Sequence, residues 1–156
     1  SYAPLLAHVD AWQWRPDLIW FDNLNVMGSP NYYVQKMFST HRGTHVVPAL
    51  SNGKPLTGKD SLYVSSTIDR KNGKLYVKIV NSSRSAKPAR FTLEEFNPAR
   101  EAGIETLRSD DPFSYNSMAN PKLIFPSART LIVEGRRFSI TVEPLSANVL
   151  VFQAKN

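Results

Sequence analysis

The stretch from Trp12 to Phe38 constrains this chain more than any other, and it reads WQWRPDLIWFDNLNVMGSPNYYVQKMF. Its first part, Asp17 to Phe21, is a short apolar run after a proline, which is typical of a strand buried on both faces. Ser29 then suits a helix N-cap, and Pro30 suits the first helical position. The stretch therefore predicts a buried strand, a turn and a helix, as at the end of an α/β domain.

The predicted helix has one apolar face, formed by Tyr33, Val34, Met37 and Phe38 at helical spacing. Gly43 is the expected break after its last turn. At the start of the chain, the spacing of apolar residues predicts that Ser1 to Asp10 forms the last turns of another helix. We therefore expect a helix, a strand and a helix before the rest of the chain.

From Thr44 onward the apolar residues alternate, which indicates β-strands. Asn72-Gly73 lies between the alternating segments 62–69 and 75–81 and predicts a hairpin with a type I′ turn. Further strands are expected at 45–50, 90–96, 104–107, 131–134, 138–142 and 148–153. Short strands with regular turn signals predict a complete antiparallel β-sandwich after the α/β segment. The segment 110–126 is a long connection, of a kind that is usually functional or packed onto a neighbour.

Composition and charge argue against several classes of partner. Lys and Arg outnumber Asp and Glu by 19 to 13, for a net charge of +6, but the basic residues are scattered. This scatter favours a solvated surface over a nucleic-acid-binding stripe. The chain has no cysteine, and no apolar run approaches the roughly 20 residues that span a membrane. We therefore predict no nucleic-acid partner and no membrane partner.

Catalysis by two carboxylates requires them within about 5–9.5 Å of each other. The acidic pairs that could qualify are Glu94 with Glu95, Glu101 with Glu105, and Asp110 with Asp111. The first pair lies on a predicted strand and points to opposite faces. The second pair would meet only on a helix, which the sequence does not favour there, and the third is typical of a turn. We therefore expect no catalytic residue in this chain.

The three histidines are His8, His41 and His45, and no nearby carboxylate or cysteine completes a metal site with them. They are expected to be surface or capping residues. The sequence has neither a nucleophile-elbow serine nor a glycine-rich phosphate loop. It therefore predicts no metal and no cofactor.

Several motifs resemble one known family. SYAPLLAHVD (1–10), WRPDLIWFDN (14–23) and GSPNYYVQKMFS (28–39) are similar to the end of the catalytic barrel in α-L-arabinofuranosidases of glycoside hydrolase family 51. NSMANPKLIFP (116–126) and VEPLSANVLVF (142–152) resemble the sandwich that follows this barrel. The resemblance implies a mainly β fold, in which an antiparallel jelly-roll sandwich (44–156) follows a helix–strand–helix remnant of a (β/α)8 barrel (1–43).

The family retains configuration and uses two glutamates on earlier barrel strands, so the resemblance implies that both lie outside this chain. The chain alone is then expected to be inactive and structural, with the missing upstream barrel as its partner and no cofactor. The parent would release terminal arabinofuranosyl groups from arabinose-containing plant polysaccharides. Because the chain begins with Ser1, we expect that its native N-terminus is not represented. For the localisation, we expect a secreted or periplasmic protein.

Barrel active sites lie at the carboxyl ends of the strands, so Asp22 and Asn23 are expected at the active-site rim of the intact enzyme. Trp12 and Trp14 lie on a predicted loop and are the candidate sugar-contact aromatics. Trp20, Phe21 and Tyr33 are expected to pack the strand–helix unit instead.

The alternative function is a non-catalytic carbohydrate-binding module, because jelly rolls often bind glycans. It predicts binding of an oligosaccharide that is lost on Trp12→Ala or Trp14→Ala. A severed barrel strand at Leu18–Phe21 is expected to lack sheet neighbours, which leaves unpaired backbone groups. We therefore expect this segment to fold onto the sandwich or to mediate self-association.

Overall fold

The structure is a computed structural model that describes residues 4–12 and 14–155. In these ranges the α-helix α1 spans Pro30–Thr40, and a 3₁₀ turn spans Lys59–Ser61. The strands are β1 Leu6–His8, β2 Ile19–Phe21, β3 Val26–Gly28, β4 His45–Val47, β5 Leu50–Ser51, β6 Lys54–Pro55, β7 Leu62–Asp69, β8 Lys74–Asn81, β9 Lys87–Thr92, β10 Pro98–Arg108, β11 Ser127–Ile132, β12 Arg137–Val142 and β13 Ser146–Ala154.

Two antiparallel sheets enclose the main core and confirm the predicted β-sandwich. Six strands form the larger sheet in the order β11-β10-β13-β8-β7-β4. Strands β12 and β9 pair into a smaller sheet that packs against it. The fully buried side chains between the sheets include Ile79, Leu150 and Phe152, and Val142 comes from the smaller sheet.

The larger sheet is covered on both faces, and β8 shows how its sequence achieves this. Leu75, Val77 and Ile79 belong to the core between the sheets, as their alternation predicts. Tyr76 and Lys78 point to the opposite face, towards α1: the Lys78 Nζ donates to the Phe38 carbonyl at 2.7 Å. Burial beneath the helix lowers the pKa of Lys78.

The expected helix over Ser1 to Asp10 is wrong for the residues that the structure describes. Leu6–His8 forms β1, which pairs in parallel with β2, and residues 1–3 lie outside the described ranges. Ala7 is buried, whereas Leu6 before it is exposed and His8 after it is half-buried. This alternation has the two-residue period of a strand. The segment before α1 is therefore strand-rich, and the helix–strand–helix order must be corrected.

Strand β2 is paired on both sides, so the expectation that it would lack neighbours is also wrong. It pairs in parallel with β1 and antiparallel with β3, a strand that the sequence did not predict. Trp20 packs with Ala7 and Met27 in a small core of this three-stranded sheet. Both edges of β2 are therefore paired with strands of the same chain, and a second copy of the chain is not needed to pair them.

The helix α1 begins and packs as the sequence predicts. The Ser29 Oγ accepts a hydrogen bond from the backbone N of Tyr32 at 3.3 Å, and Pro30 occupies the first turn. Met37 is buried against Leu107 and Val149 of the larger sheet. The segment therefore folds onto the sandwich, as expected. In the described ranges no helix is long and apolar enough to cross a membrane.

Gly43 does not end the helix through a left-handed conformation. His41 is the C-cap residue, and its backbone N donates to the Met37 carbonyl. A Cβ on Gly43 would lie 2.5 Å from the backbone of Ile68. Glycine is therefore required here by the close approach of β7.

The β7–β8 hairpin forms where predicted, but its turn is not type I′. Asp69 pairs with Lys74, which leaves a four-residue loop, and only Gly73 in this loop has a positive φ, of 60°. The Asp69 carboxylate accepts hydrogen bonds from the side chain and backbone of Asn72, and these lower the pKa of Asp69. The carboxylate thus stabilises a longer turn that the Asn-Gly signal alone does not predict.

Several expected strands have different bounds in the structure, and the strands expected at 45–50 and 90–96 show two ways in which this happens. The predicted strand 45–50 stops at Val47, because Pro48 has no N–H to continue the ladder. The predicted strand 90–96 becomes β9, which begins earlier and ends at Thr92. Glu94 and Glu95 therefore lie in the loop between β9 and β10 and not on a strand.

Candidate functional site

The acidic pair Glu101 and Glu105 is too widely separated for carboxylate catalysis. Glu101 and Glu105 lie on the same face of β10, and a rise of about 3.3 Å per residue separates them by about 13 Å. This exceeds the separations that retaining and inverting glycosidases use, about 5 and 6.5–9.5 Å. Asp110 contacts Arg108, and Asp111 accepts from the Phe113 backbone, so both belong to turn structure.

The histidines take local structural roles. The His8 Nδ1 accepts from the backbone N of Asp10, and the His45 Nδ1 lies 2.8 Å from the Thr44 Oγ1. The His41 Nδ1 lies 2.9 Å from the Met37 carbonyl at the end of α1 and 3.6 Å from the Glu105 carboxylate. Among the described residues, no group of three or more His, Cys, Asp or Glu side chains is arranged to hold a metal ion.

Asp22 and Asn23, the candidate rim residues, lie in the turn between β2 and β3. The Asp22 Oδ1 accepts from the backbone N of Leu24 at 2.7 Å and of Asn25 at 2.6 Å. These hydrogen bonds lower the pKa of Asp22, so the carboxylate is held ionised. Asn23 is exposed beside it. Both residues thus follow the carboxyl end of β2, although the Asp22 carboxylate is already used by the turn.

Trp12 and Trp14, the candidate sugar-contact residues, are half exposed, at 45% and 50%. The Trp12 ring is edge-on to Trp20, with centroids 6.4 Å apart. The Arg15 guanidinium lies 4.6 Å from the Trp12 ring centroid and 5.2 Å from that of Trp20. One face of the Trp12 ring is therefore covered by a cation, which restricts its use as a stacking platform.

Asp17 is a feature that sequence reasoning missed. Its side chain is 0% exposed, and neither carboxylate oxygen has a hydrogen-bond partner among the described residues. The sequence placed it at the start of a strand, where an acid is usually solvated. An unpaired buried carboxylate is costly, so this position weakens the fold of the chain.

We expect Asp17→Asn to raise the free energy of unfolding of this chain by about 1–3 kcal/mol, because an amide of nearly the same volume is less costly to bury without a partner than a carboxylate. Chemical denaturation measures the change. Asp10→Asn, at an exposed aspartate, is the matched control and should stay within about 0.5 kcal/mol of the native chain. A clear loss of stability in Asp17→Asn would mean that the carboxylate has a donor in solution.

A polar cleft of about 230 Å³ lies between β10, β11 and β12. Its lining consists of Ile104, Thr106, Arg108, Ser127, Arg129, Thr141, Glu143 and Asn148. The Thr106 Oγ1 donates to the Asn148 Oδ1 at 2.8 Å. The lining mixes hydrogen-bond donors and acceptors but contains no aromatic side chain, and it holds a single carboxylate. This cleft therefore lacks the two carboxylates that glycoside hydrolysis requires.

Comparison with known proteins decides the family. The model of the family described as "Alpha-L-arabinofuranosidase C-terminal domain" matches residues 1–146. The chain belongs to this family. Membership confirms the resemblance that its motifs carry, and it agrees with the mainly β, antiparallel fold.

Similar proteins share this assignment across most of the chain. A probable α-L-arabinofuranosidase A of Aspergillus terreus is 34% identical over 153 residues, which cover 96% of this chain and 23% of the relative. The solved structure of an arabinose-bound GH51 α-L-arabinofuranosidase superimposes with a TM-score of 0.88 at 29% identity, over 99% of this chain and 24% of that one. The chain spans about a quarter of the length of these relatives.

A shorter match is more similar in sequence. An extracellular exo-α-L-arabinofuranosidase of Streptomyces chartreusis is 53% identical over 55 residues, which are 35% of this chain and 7% of the relative. Relatives of this C-terminal domain therefore include one that is described as extracellular.

Proposed function

We propose that this chain is the non-catalytic C-terminal part of a retaining α-L-arabinofuranosidase, whose catalytic barrel, with both catalytic glutamates, precedes it. The parent enzyme releases terminal arabinofuranosyl groups from plant polysaccharides such as arabinan or arabinoxylan. The observation that carries the proposal is the family match over residues 1–146. The wide separation of Glu101 and Glu105 on β10 supports the proposal that the catalytic glutamates lie outside this chain.

The proposed role of the chain is structural. Residues 1–43 form the terminal part of the barrel, and residues 44–156 form the sandwich. Met37 of α1, buried against Leu107 and Val149, supports this arrangement because it links the two parts through an apolar contact. A sandwich that is held in this way stabilises the end of the barrel by burying its last helix.

The experiment that tests the proposal compares this chain with the longer polypeptide that contains it. The purified chain is expected to hydrolyse an aryl α-L-arabinofuranoside no faster than buffer, because both catalytic glutamates are proposed to lie in the preceding barrel. The longer polypeptide is expected to hydrolyse it by a two-step displacement. Clear turnover by the chain alone would contradict the proposal.

The position of Asp22 and Asn23 after β2 supports a place at the active-site rim of the intact enzyme. Because the Asp22 carboxylate already stabilises its turn, we propose that Asn23, whose side chain is exposed, makes the nearer approach to substrate. Asn23→Ala in the longer polypeptide is then expected to raise KM for the aryl arabinofuranoside more than it lowers kcat.

The second candidate function is glycan binding by the chain itself, and the half-exposed Trp12 and Trp14 are the observation that favours it.

We also propose self-association of the chain through the outer edges of β1 and β3, and light scattering after size exclusion tests it. We also propose that the intact protein is secreted or periplasmic, with the extracellular relative as support.

A further inference from the structure

The sequence contains two Asn-Gly pairs, Asn52-Gly53 and Asn72-Gly73, and each lies in the turn of a hairpin and is followed by lysine. An asparagine before glycine is open to a spontaneous reaction, because glycine has no Cβ to hinder its backbone nitrogen. This nitrogen attacks the asparagine Cγ, a C–N bond closes a succinimide ring, and ammonia leaves. Water then opens the ring to aspartate or isoaspartate. A turn that holds the side chain away from the nitrogen slows the first step.

The Asn52-Gly53 pair is the tip of a hairpin that few contacts hold closed. Strands β5 and β6 have two residues each, and Pro55 in β6 has no N–H to donate. The backbone hydrogen bond that follows them, from Leu56 to Ala49, is long at 3.3 Å. Every residue from 50 to 55 is exposed. A two-stranded hairpin of this size is marginal, so its local opening requires little free energy.

The Asn52 side chain is not held in the turn. Asn52 and Gly53 both have positive φ, of 51° and 75°, as a type I′ turn requires. In the part of the chain that the structure describes, no group is hydrogen-bonded to the Asn52 amide, and a Cβ on Gly53 would meet no atom within 4 Å. The amide can therefore rotate towards the Gly53 nitrogen when the turn opens.

The Asn72-Gly73 pair, in contrast, is held by several hydrogen bonds. The Asn72 Nδ2 donates to the Asp69 Oδ2 at 2.6 Å, and the Asn72 backbone N donates to the Asp69 Oδ1 at 3.2 Å. The Gln153 Nε2 donates to the Asn72 carbonyl at 3.0 Å, and the Ala154 backbone N donates to the Gly73 carbonyl at 2.8 Å. Before the Asn72 side chain can reach the Gly73 nitrogen, it must break its bond to a carboxylate, which is the stronger kind of hydrogen bond.

We propose that Asn52 is a site of spontaneous deamidation in this chain, and that the Asp69 carboxylate protects Asn72 from the same reaction. The reaction lowers the formal net charge of +6 by one and, where isoaspartate forms, adds a backbone atom at the tip of the hairpin. The tip lies outside the core between the two sheets, so the sandwich remains folded after the change.

Incubation of the native chain at mildly alkaline pH, followed by peptide mass spectrometry, tests the proposal. Alkaline pH speeds the reaction because the attacking backbone nitrogen must lose its proton. Asn52 is expected to convert at least about tenfold faster than Asn72. In urea that unfolds the chain, the two sites should convert at similar rates, because each is then an unrestrained Asn-Gly-Lys sequence.

Asp69→Ala tests the protection by the carboxylate. It is expected to speed the conversion of Asn72 about tenfold and to leave that of Asn52 unchanged. Glu134→Ala, which removes an exposed carboxylate from another turn, is the matched control and should change neither rate. Circular dichroism shows whether each variant is folded. If Asp69→Ala does not fold, Asp69→Asn, which keeps the volume and removes the charge, takes its place.

Equal rates at the two sites of the folded chain, or faster conversion of Asn72, would overturn the proposal. A difference in rate that persists in urea would also overturn it, because its cause would then be the flanking residues and not the fold. If the folded variant at Asp69 leaves Asn72 as slow as in the native chain, the proposed protection by the carboxylate is wrong.

Discussion

Phe152→Ala is expected to lower the free energy of unfolding by about 3–5 kcal/mol, among the largest effects of any single substitution in this chain. Phe152 is 0% exposed on the inner face of β13, and its ring lies 5.3 Å from that of Phe138 on the smaller sheet. Truncation removes the apolar surface that joins the two sheets and leaves a cavity between them. Urea denaturation followed by far-UV circular dichroism measures the loss.

The matched control is Phe113→Ala, the same substitution at a ring that is 82% exposed. It should change the free energy of unfolding by less than about 0.5 kcal/mol. Equal losses in the two variants would contradict the core that the structure defines.

Met37→Ala is expected to cost about 2–5 kcal/mol and to release α1 from the sandwich. Met37 is 2% exposed and packs against Leu107, Ile124 and Val149, and it is the buried residue at the centre of this contact. All three tryptophans lie before α1, at positions 12, 14 and 20. Tryptophan fluorescence therefore reports the first segment, and circular dichroism reports mainly the sandwich.

In the native chain the two signals should change together on denaturation. In Met37→Ala the fluorescence transition should come at lower urea than the circular dichroism transition. Gln35→Ala, at an exposed position of the same helix, should keep them coincident. Coincident transitions in Met37→Ala would mean that the first segment does not depend on this contact.

The sequence predicts the sandwich well because successive side chains along its strands point alternately to opposite faces of the sheet. Leu75, Val77 and Ile79 show this alternation without interruption, and β7 has the bounds that the pattern indicates. The helix α1 was equally predictable, because Ser29, Pro30 and the stripe around Met37 agree with one another. Where several local signals coincide, the expected element forms.

The first segment was harder to predict because its strands are only three residues long. Three apolar residues around Leu6 fit a helical spacing as well as a strand, and only the pairing with β2 selects the strand. The β7–β8 turn differed because Asp69 supplies acceptors for a longer loop, a contact that the Asn-Gly pair does not encode. Long-range pairing and side-chain capping thus decided both cases.

The sequence predicts which candidate site residues are exposed, but it does not predict which side chains they contact. Trp12 was expected on a loop, yet the cation over its ring comes from Arg15, and no spacing rule predicts that contact. Asp17 was placed at the start of a strand, but its complete burial is not encoded in the local sequence pattern. The separation of Glu101 and Glu105, in contrast, follows directly from their strand.

The most direct test of the central claim locates the catalytic nucleophile in the longer polypeptide. A retaining glycosidase forms a covalent glycosyl-enzyme intermediate, which a mechanism-based arabinofuranosyl inactivator traps. Peptide mass spectrometry should then find the adduct on a glutamate that lies outside these 156 residues. An adduct on any residue of this chain would contradict the account.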